Sequence, residues 1–111
     1  MTSPRREGRR SDAEVLQLVV FDLKAAERDR FHGALAAAVP ILEAAEGYRR
    51  HAFGPCVEDG TRFALLVWWA RLEDHTLTFR SSAAHASWRA ALRPFIDVEP
   101  EVMHVDVRTS R

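Results

Sequence analysis

The chain has 111 residues, enough for one domain with a modest core and too few for two. Its 16 basic and 16 acidic residues cancel, and no basic stripe with interleaved aromatics runs through the body of the chain, which argues against a nucleic-acid surface. No apolar run approaches a membrane-spanning length, no signal-peptide core follows the basic start, and the single cysteine, Cys56, has no thiol partner for a disulfide or a metal pair; a cytoplasmic protein is expected.

Residues 1–13 mix Ser, Pro, Gly and Arg without apolar periodicity and predict a disordered lead-in, with the domain running over 14–111. Within them Arg5-Arg6-Glu7-Gly8-Arg9-Arg10 carries +3, which leaves −3 for residues 11–111; a solvated basic tail is the favoured reading over a contact with an anionic partner. Val15 to Leu23 is β-branched and apolar apart from Gln17 and Asp22, and predicts a largely buried first strand. From Ala26 to Glu46 the spacing of Phe31, Leu35, Ala38, Leu42 and Ala45 predicts a helix, with a kink or break after Val39 because Pro40 lacks a backbone donor, and with Gly47 as its stop. His32, one position off that stripe, is a flank residue. Tyr48 to Val57 predicts a second strand in which Gly54-Pro55 marks a bulge or an edge, and Glu58 to Thr61 closes a hairpin onto the next strand.

That next strand, Phe63 to Ala70, is apolar on both faces: Phe63, Leu65, Val67 and Trp69 point one way, Ala64, Leu66, Trp68 and Ala70 the other. Behind it the period changes to the helical one. Leu72, His75 and Phe79 form an inward stripe on a short helix, Leu72 to Arg80; Ser81 and Ser82 cap a longer one, Ala83 to Phe95, carrying Ala84, Trp88, Ala91 and Phe95. His75 therefore faces the apolar interior, where it is either a usable proton acceptor or a hydrogen-bonded structural histidine. A last strand, Glu101 to Arg108, alternates Met103, Val105 and Val107 with Val102, His104 and Asp106. The order β-α-β-β-α-β predicts an α+β, ferredoxin-like fold: a four-stranded antiparallel sheet with both helices on one face. The other, apolar face then calls for a cover, and a homodimer packed sheet to sheet supplies one.

Other chemistries find no support in the residues. Nine residues lie between His75 and His85, outside the usual ligand spacings, so no metal is expected; GxSxG elbows, phosphate loops and dinucleotide fingerprints are absent; and Cys56, beside Pro55 on a strand, reads as packing. Two readings remain. In one, His75 is the general base of an enzyme that uses no cofactor and takes a small aromatic substrate with an acidic C–H or phenol, walled by Trp69, Phe79, Trp88 and Phe31. The resulting carbanion either reacts with dioxygen or rearranges, as in a cyclase or isomerase. In the other, the same aromatics are core and the protein is a non-catalytic ligand-binding or structural dimer. A roomy pocket with His75 at its wall favours the first and a filled core the second.

The run from Val67 to Ser82, VWWARLEDHTLTFRSS, followed by Trp88-Arg89, Pro94-Phe95 and Glu101-Val-Met-His104, resembles the antibiotic biosynthesis monooxygenase superfamily, over roughly Val15 to Val107. The resemblance implies a dimeric α+β barrel with a pocket in each subunit between the sheet and its own helices. With it Trp69 joins His75 as a catalytic candidate, and His104 joins Phe31, Phe79 and Trp88 as substrate-binding candidates. Some relatives oxidise phenolic or anthrone-like polyketides with dioxygen and neither metal nor flavin; others degrade haem. The oxygenase relatives use an Asn on the first strand together with the Trp and a His, and this chain contains no Asn; Leu18 occupies the position that matches. Neither chemistry is carried over whole. No axial histidine for haem matches, His85 being the nearest and better placed at a rim.

Overall fold

A computed structural model describes residues 14–108; the expected N-terminal tail lies outside the described residues. Strand β1, Val15–Asp22, is followed by a 3-10 turn at Ala25–Glu27 and helix α1, Arg28–Glu43. Strands β2, Tyr48–Pro55, and β3, Arg62–Trp69, form the hairpin, in which the Asp59 carboxylate accepts from both the backbone N–H and the hydroxyl of Thr61. A π-helical turn, Asp74–Phe79, helix α2, Ala83–Leu92, a 3-10 turn, Arg93–Phe95, and strand β4, Glu101–Asp106, complete the chain. All neighbouring strands are antiparallel, in the order β2-β3-β1-β4. This is the ferredoxin-like arrangement expected from the element order.

The sheet has two unlike faces because β1 and β3, its central strands, alternate strictly between buried and half-buried residues. Val15, Gln17, Val19 and Phe21 on β1, with Phe63, Leu65, Val67 and Trp69 on β3, face the helices. They meet Phe31, Leu35, Ala38 and Leu42 of α1 and Trp88 and Leu92 of α2 in one contiguous core. Opposite them, Leu16, Leu18 and Val20, Ala64, Leu66 and Trp68, and the exposed Met103 and Val105 of β4 make an outer face that no helix among the described residues covers.

The helices differ from expectation in three respects. Helix α1 runs without a break through Pro40 to Glu43, because one absent donor near the C-terminal end is outweighed by the buried stripe on both sides, Leu35 and Ala38 before it and Leu42 after it. Strand β2 is an edge strand, the second of the two alternatives Gly54-Pro55 allowed and one where proline is tolerated, and its register irregularity falls between Tyr48 and Arg50. The first of the two helices after β3 is wider than an α-helix at Asp74–Phe79, and the second ends at Leu92, ahead of Pro94. The Ser82 cap is present, with its hydroxyl accepting from the backbone N–H of His85 at 3.2 Å.

Candidate active site

The site begins at a clasp beside the π-helical turn. Gly47 adopts a φ of 84°, which L side chains rarely take, and a Cβ there would run into the carboxylate of Asp74. The carbonyl of Gly47 accepts from the Ala70 N–H at 2.8 Å, and the buried Asp74 carboxylate accepts from the backbone N–H and the guanidinium of Arg71 at 3.0 and 3.1 Å. The turn after α1, the end of β3 and the start of the π-helical turn are thus held as one unit. Next to Asp74 comes His75, and the backbone N–H of Arg80 donates to its carbonyl at 3.1 Å, five residues back, which is the π-type bond. Both His75 and Phe79 are buried.

His75 is 5 % exposed and its Nδ1 lies 2.9 Å from Nε2 of His104 on β4. Its ring packs 5.6 Å from Trp69, which in turn lies 5.8 Å from Phe79. Trp69 has no exposed surface, and its indole N–H donates to Oε1 of Gln17 at 2.8 Å. An indole nitrogen can only donate, so the carboxamide oxygen must face it and the amide NH2 points elsewhere. Among the described residues that NH2 has no acceptor. The register explains the meeting. Gln17 pairs with Val67 on one side and His104 on the other, so Trp69 is its diagonal neighbour and His104 its direct one on the helix face.

In front of these groups a cavity of about 490 Å³ opens between sheet and helices. Gln17, Val19 and Phe21 line it from β1, Leu65 and Val67 from β3, His75, Phe79 and Arg80 from the π-helical turn, and His85, Trp88, Arg89 and Leu92 from α2. Burial lowers the pKa of His75 to about 4, helped by neighbouring His104, Arg80 and His85. Burial, then Arg89 and Arg80, lowers His85; burial, then Arg80, lowers His104. All three imidazoles are therefore held toward the neutral form, in which one ring nitrogen accepts and the other donates. When His75 donates from Nδ1 to His104, its Nε2 is a bare acceptor.

Of the six residues expected at a site, His75, Phe79 and Trp88 line the cavity. Trp69 stands behind it, holding Gln17 and packing on His75. His104 is half-buried and reaches the cavity only through its bond to His75. Phe31 is elsewhere: it has no exposed surface and packs within 5.0–6.0 Å of Phe21, Phe63 and Phe95, in solid core outside the cavity lining. Its helical stripe faces the interior, but the hairpin end of the sheet fills the space there. Leu18 does not reach the site either, because its side chain is on the outer face opposite Leu66 and Met103. Gln17 is the inward carboxamide of β1, one residue earlier, and was the group not anticipated. Its signal was the alternation itself, since Gln17 shares a face with Val15, Val19 and Phe21. His85 sits half-buried in the wall, with Phe79 edge-on at 5.3 Å, and His32 is exposed on α1. Among the described residues no group of three or more His, Cys, Asp or Glu is placed to hold a metal ion, and no helix is long and apolar enough to cross a membrane.

The family model for antibiotic biosynthesis monooxygenases matches residues 15–91. The uncharacterized protein YczJ of Bacillus subtilis (strain 168) is 34 % identical over 90 residues, covering 81 % of this chain and 95 % of its own. A candidate antibiotic biosynthesis monooxygenase from Bordetella bronchiseptica superposes with a TM-score of 0.84 at 23 % identity, over 87 % of this chain and 99 % of that one. SnoaB, a cofactor-independent oxygenase from Streptomyces nogalater, shares the fold with a TM-score of 0.74 at 14 % identity, over 88 % and 96 % of the two chains. With β1 through most of α2 inside the matched segment, the chain belongs to the antibiotic biosynthesis monooxygenase family.

Proposed function

We propose that this protein is a cofactor-independent monooxygenase for a phenolic or anthrone-like polyketide, working as a homodimer. The observation that carries the reading is the joint one at the cavity wall: a neutral, buried His75 beside a Gln17 carboxamide whose oxygen is engaged by Trp69 and whose NH2 is unmatched. His75 takes the proton from the activated CH2 of the substrate. With a pKa of about 4 it is a weak base, always unprotonated at neutral pH, so the substrate has to be acidic. A CH2 between two aryl rings and conjugated through them to a carbonyl is such a carbon. The NH2 of Gln17 donates to the oxygen on which the enolate charge settles, the role expected of an Asn on the first strand. The enolate gives an electron to dioxygen, the two radicals combine in a C–O bond, and the hydroperoxide loses water as the carbonyl forms. The balance is CH2 plus O2 to C=O plus H2O. Phe79 and Trp88 give the planar rings apolar surfaces and keep water from the anion.

The homodimer accounts for the outer sheet face. Leu18, Leu66, Trp68, Met103 and Val105 form a patch that a second copy would bury, with the Arg50 guanidinium 4.4 Å over the Trp68 ring. Light scattering should give the mass of two chains at micromolar concentration, and a monomer would remove this element.

The test of the reaction is an oxygen electrode with anthrone or a dihydroquinone in metal-free buffer. One O2 consumed per quinone formed, well above the buffer rate, is the expected result. Conversion without oxygen uptake would replace the oxygenase by a cyclase or isomerase that shares the deprotonation, and no conversion with measurable binding would leave a ligand-binding barrel.

A further inference from the structure

Cavity wall and rim hold a collection of positive and proton-accepting groups with few acids among them. Arg80, Arg89 and Arg93 all border it, as do His75 and His85. Among the described residues only two carboxylates do so, Asp97 and Glu99, both on the loop between the Arg93–Phe95 turn and β4, and Glu99 is taken by Arg89 at 3.7 Å. Among the described residues neither Arg80 nor Arg93 has a carboxylate within 4.0 Å. Arg80 is the more pointed case. Its backbone N–H is bonded to the carbonyl of His75, which fixes its Cα within a turn of the base, and its charge bears on His75, His85 and His104 alike. Among the described residues none of those three imidazoles hydrogen-bonds to a carboxylate. A cation repelling the protonation of a base is counterproductive in a proton-transfer site unless something anionic arrives with the substrate.

We infer that the substrate carries a carboxylate in addition to its acidic ring carbon, and that Arg80 binds that carboxylate at the cavity mouth. This rests on the oxygenase reading for the ring carbon but not for the anion. The carboxylate forms a charge-assisted pair with a guanidinium that has no carboxylate partner among the described residues, which selects acids over their neutral analogues. It also changes the base. With the Arg80 charge answered, and a negative charge nearby, one of the lesser causes that lower the His75 pKa is removed, burial remaining the largest, and the pKa moves upward. Substrate arrival would then both fill the site and strengthen its base.

The probe pair is anthraquinone-2-carboxylate and anthraquinone-2-carboxamide, which have the planar rings and no CH2 to lose. Titrated against the full chain at pH 7.5 by quenching of tryptophan fluorescence, the acid should bind about tenfold tighter than the amide. Salt should weaken the acid and leave the amide unchanged. Arg80→Gln should erase the acid's advantage without altering the amide, and Arg80→Lys should keep part of it. Histidine ring NMR should show the His75 pKa rising when the acid is bound and not when the amide is. Equal affinity for acid and amide, or an equal loss of both in Arg80→Gln, overturns the inference and leaves the oxygenase reading in place. Preference for the acid with no oxygen uptake on the anthrone-2-carboxylate keeps the inference and sinks the oxygenase. Binding of neither probe overturns the inference.

Discussion

The two ends of the layer between sheet and helices are built on the same strands and came out differently. At the hairpin end, Phe21, Phe31 and Phe63 close on one another with centroids 5.0–5.1 Å apart, and Phe31 has no exposed surface. Toward the other end the same inward positions carry Gln17, Trp69 and His104, with the Trp69 N–H on the Gln17 oxygen, His104 on His75 of the π-helical turn, and the Gln17 NH2 left unmatched among the described residues. Between them is the cavity. A sheet that alternates perfectly can therefore fix a dry core and a polar cavity wall with the same pattern, and what separates them is two polar residues in register, Gln17 and His104, answered by one from the turn above, His75. A buried polar group is tolerated only if it is paired, so this end is more specified and easier to upset than its aromatic counterpart.

The comparison breaks most visibly at Phe31. Phe31→Ala should cost about 3–5 kcal/mol, read by urea denaturation, because Phe31 has no exposed surface and its loss leaves a void among Phe21, Phe63 and Phe95. Any loss of activity should follow the folded fraction. A direct fall in kcat in fully folded variant protein would put Phe31 in the pocket after all.

Gly47→Ala comes next, at roughly 2–4 kcal/mol, since it both forces a side chain into positive φ and drives into the Asp74 carboxylate. The damage should be local to the polar end: amide exchange should quicken at Arg71 to Arg80 before it does in β1 and β3. Uniform quickening would mean that the clasp is not a local device.

Acid should also tell the two ends apart. His75 goes from an ordinary 6.5 in the unfolded chain to about 4 when folded. Between those values the unfolded chain binds protons that the folded one refuses, so stability present above pH 6.5 is lost as pH falls toward 4. The loss from His75 should be on the order of 2–3 kcal/mol, with His85 and His104 adding in the same sense. Urea midpoints measured from pH 7.5 to 4.5 should fall less in His75→Gln than in wild type. Parallel slopes would contradict a buried neutral histidine.

Much of the frame was legible in the sequence, and for physical reasons. Period-two alternation in Phe63 to Ala70 and 3.6-residue spacing in Ala26 to Glu46 each follow from which face must be dry, and the element order left one common topology for them. His75 was legible because Leu72 and Phe79 flank it at helical spacing. Less visible were features that depend on what faces what. Phe31 sits on a correct inward stripe, yet an inward stripe does not say whether it meets a cavity or another phenylalanine. Gln17 lies one residue from Leu18, and that one position is the difference between the two faces of a strand. Arg80 belongs to the FRSS run of the resemblance, but its lack of an acid partner exists only once β4 and α2 are in place.

The smallest effect is the pairing of Trp69 with Gln17. Trp69→Phe and Gln17→Leu should each destabilise, and their double-mutant cycle should show a coupling of about 1 kcal/mol, the ordinary worth of a buried neutral hydrogen bond. Strict additivity would make the contact incidental and leave the carboxamide free to turn.

The most direct test of the central claim, that His75 is the base at the open wall, is oxygen consumption by His75→Ala with anthrone in metal-free buffer, alongside a check that the variant is folded. The account predicts turnover lower by about 10²–10⁴ in a folded protein, the usual worth of a positioned base. Wild-type turnover in that variant would contradict it.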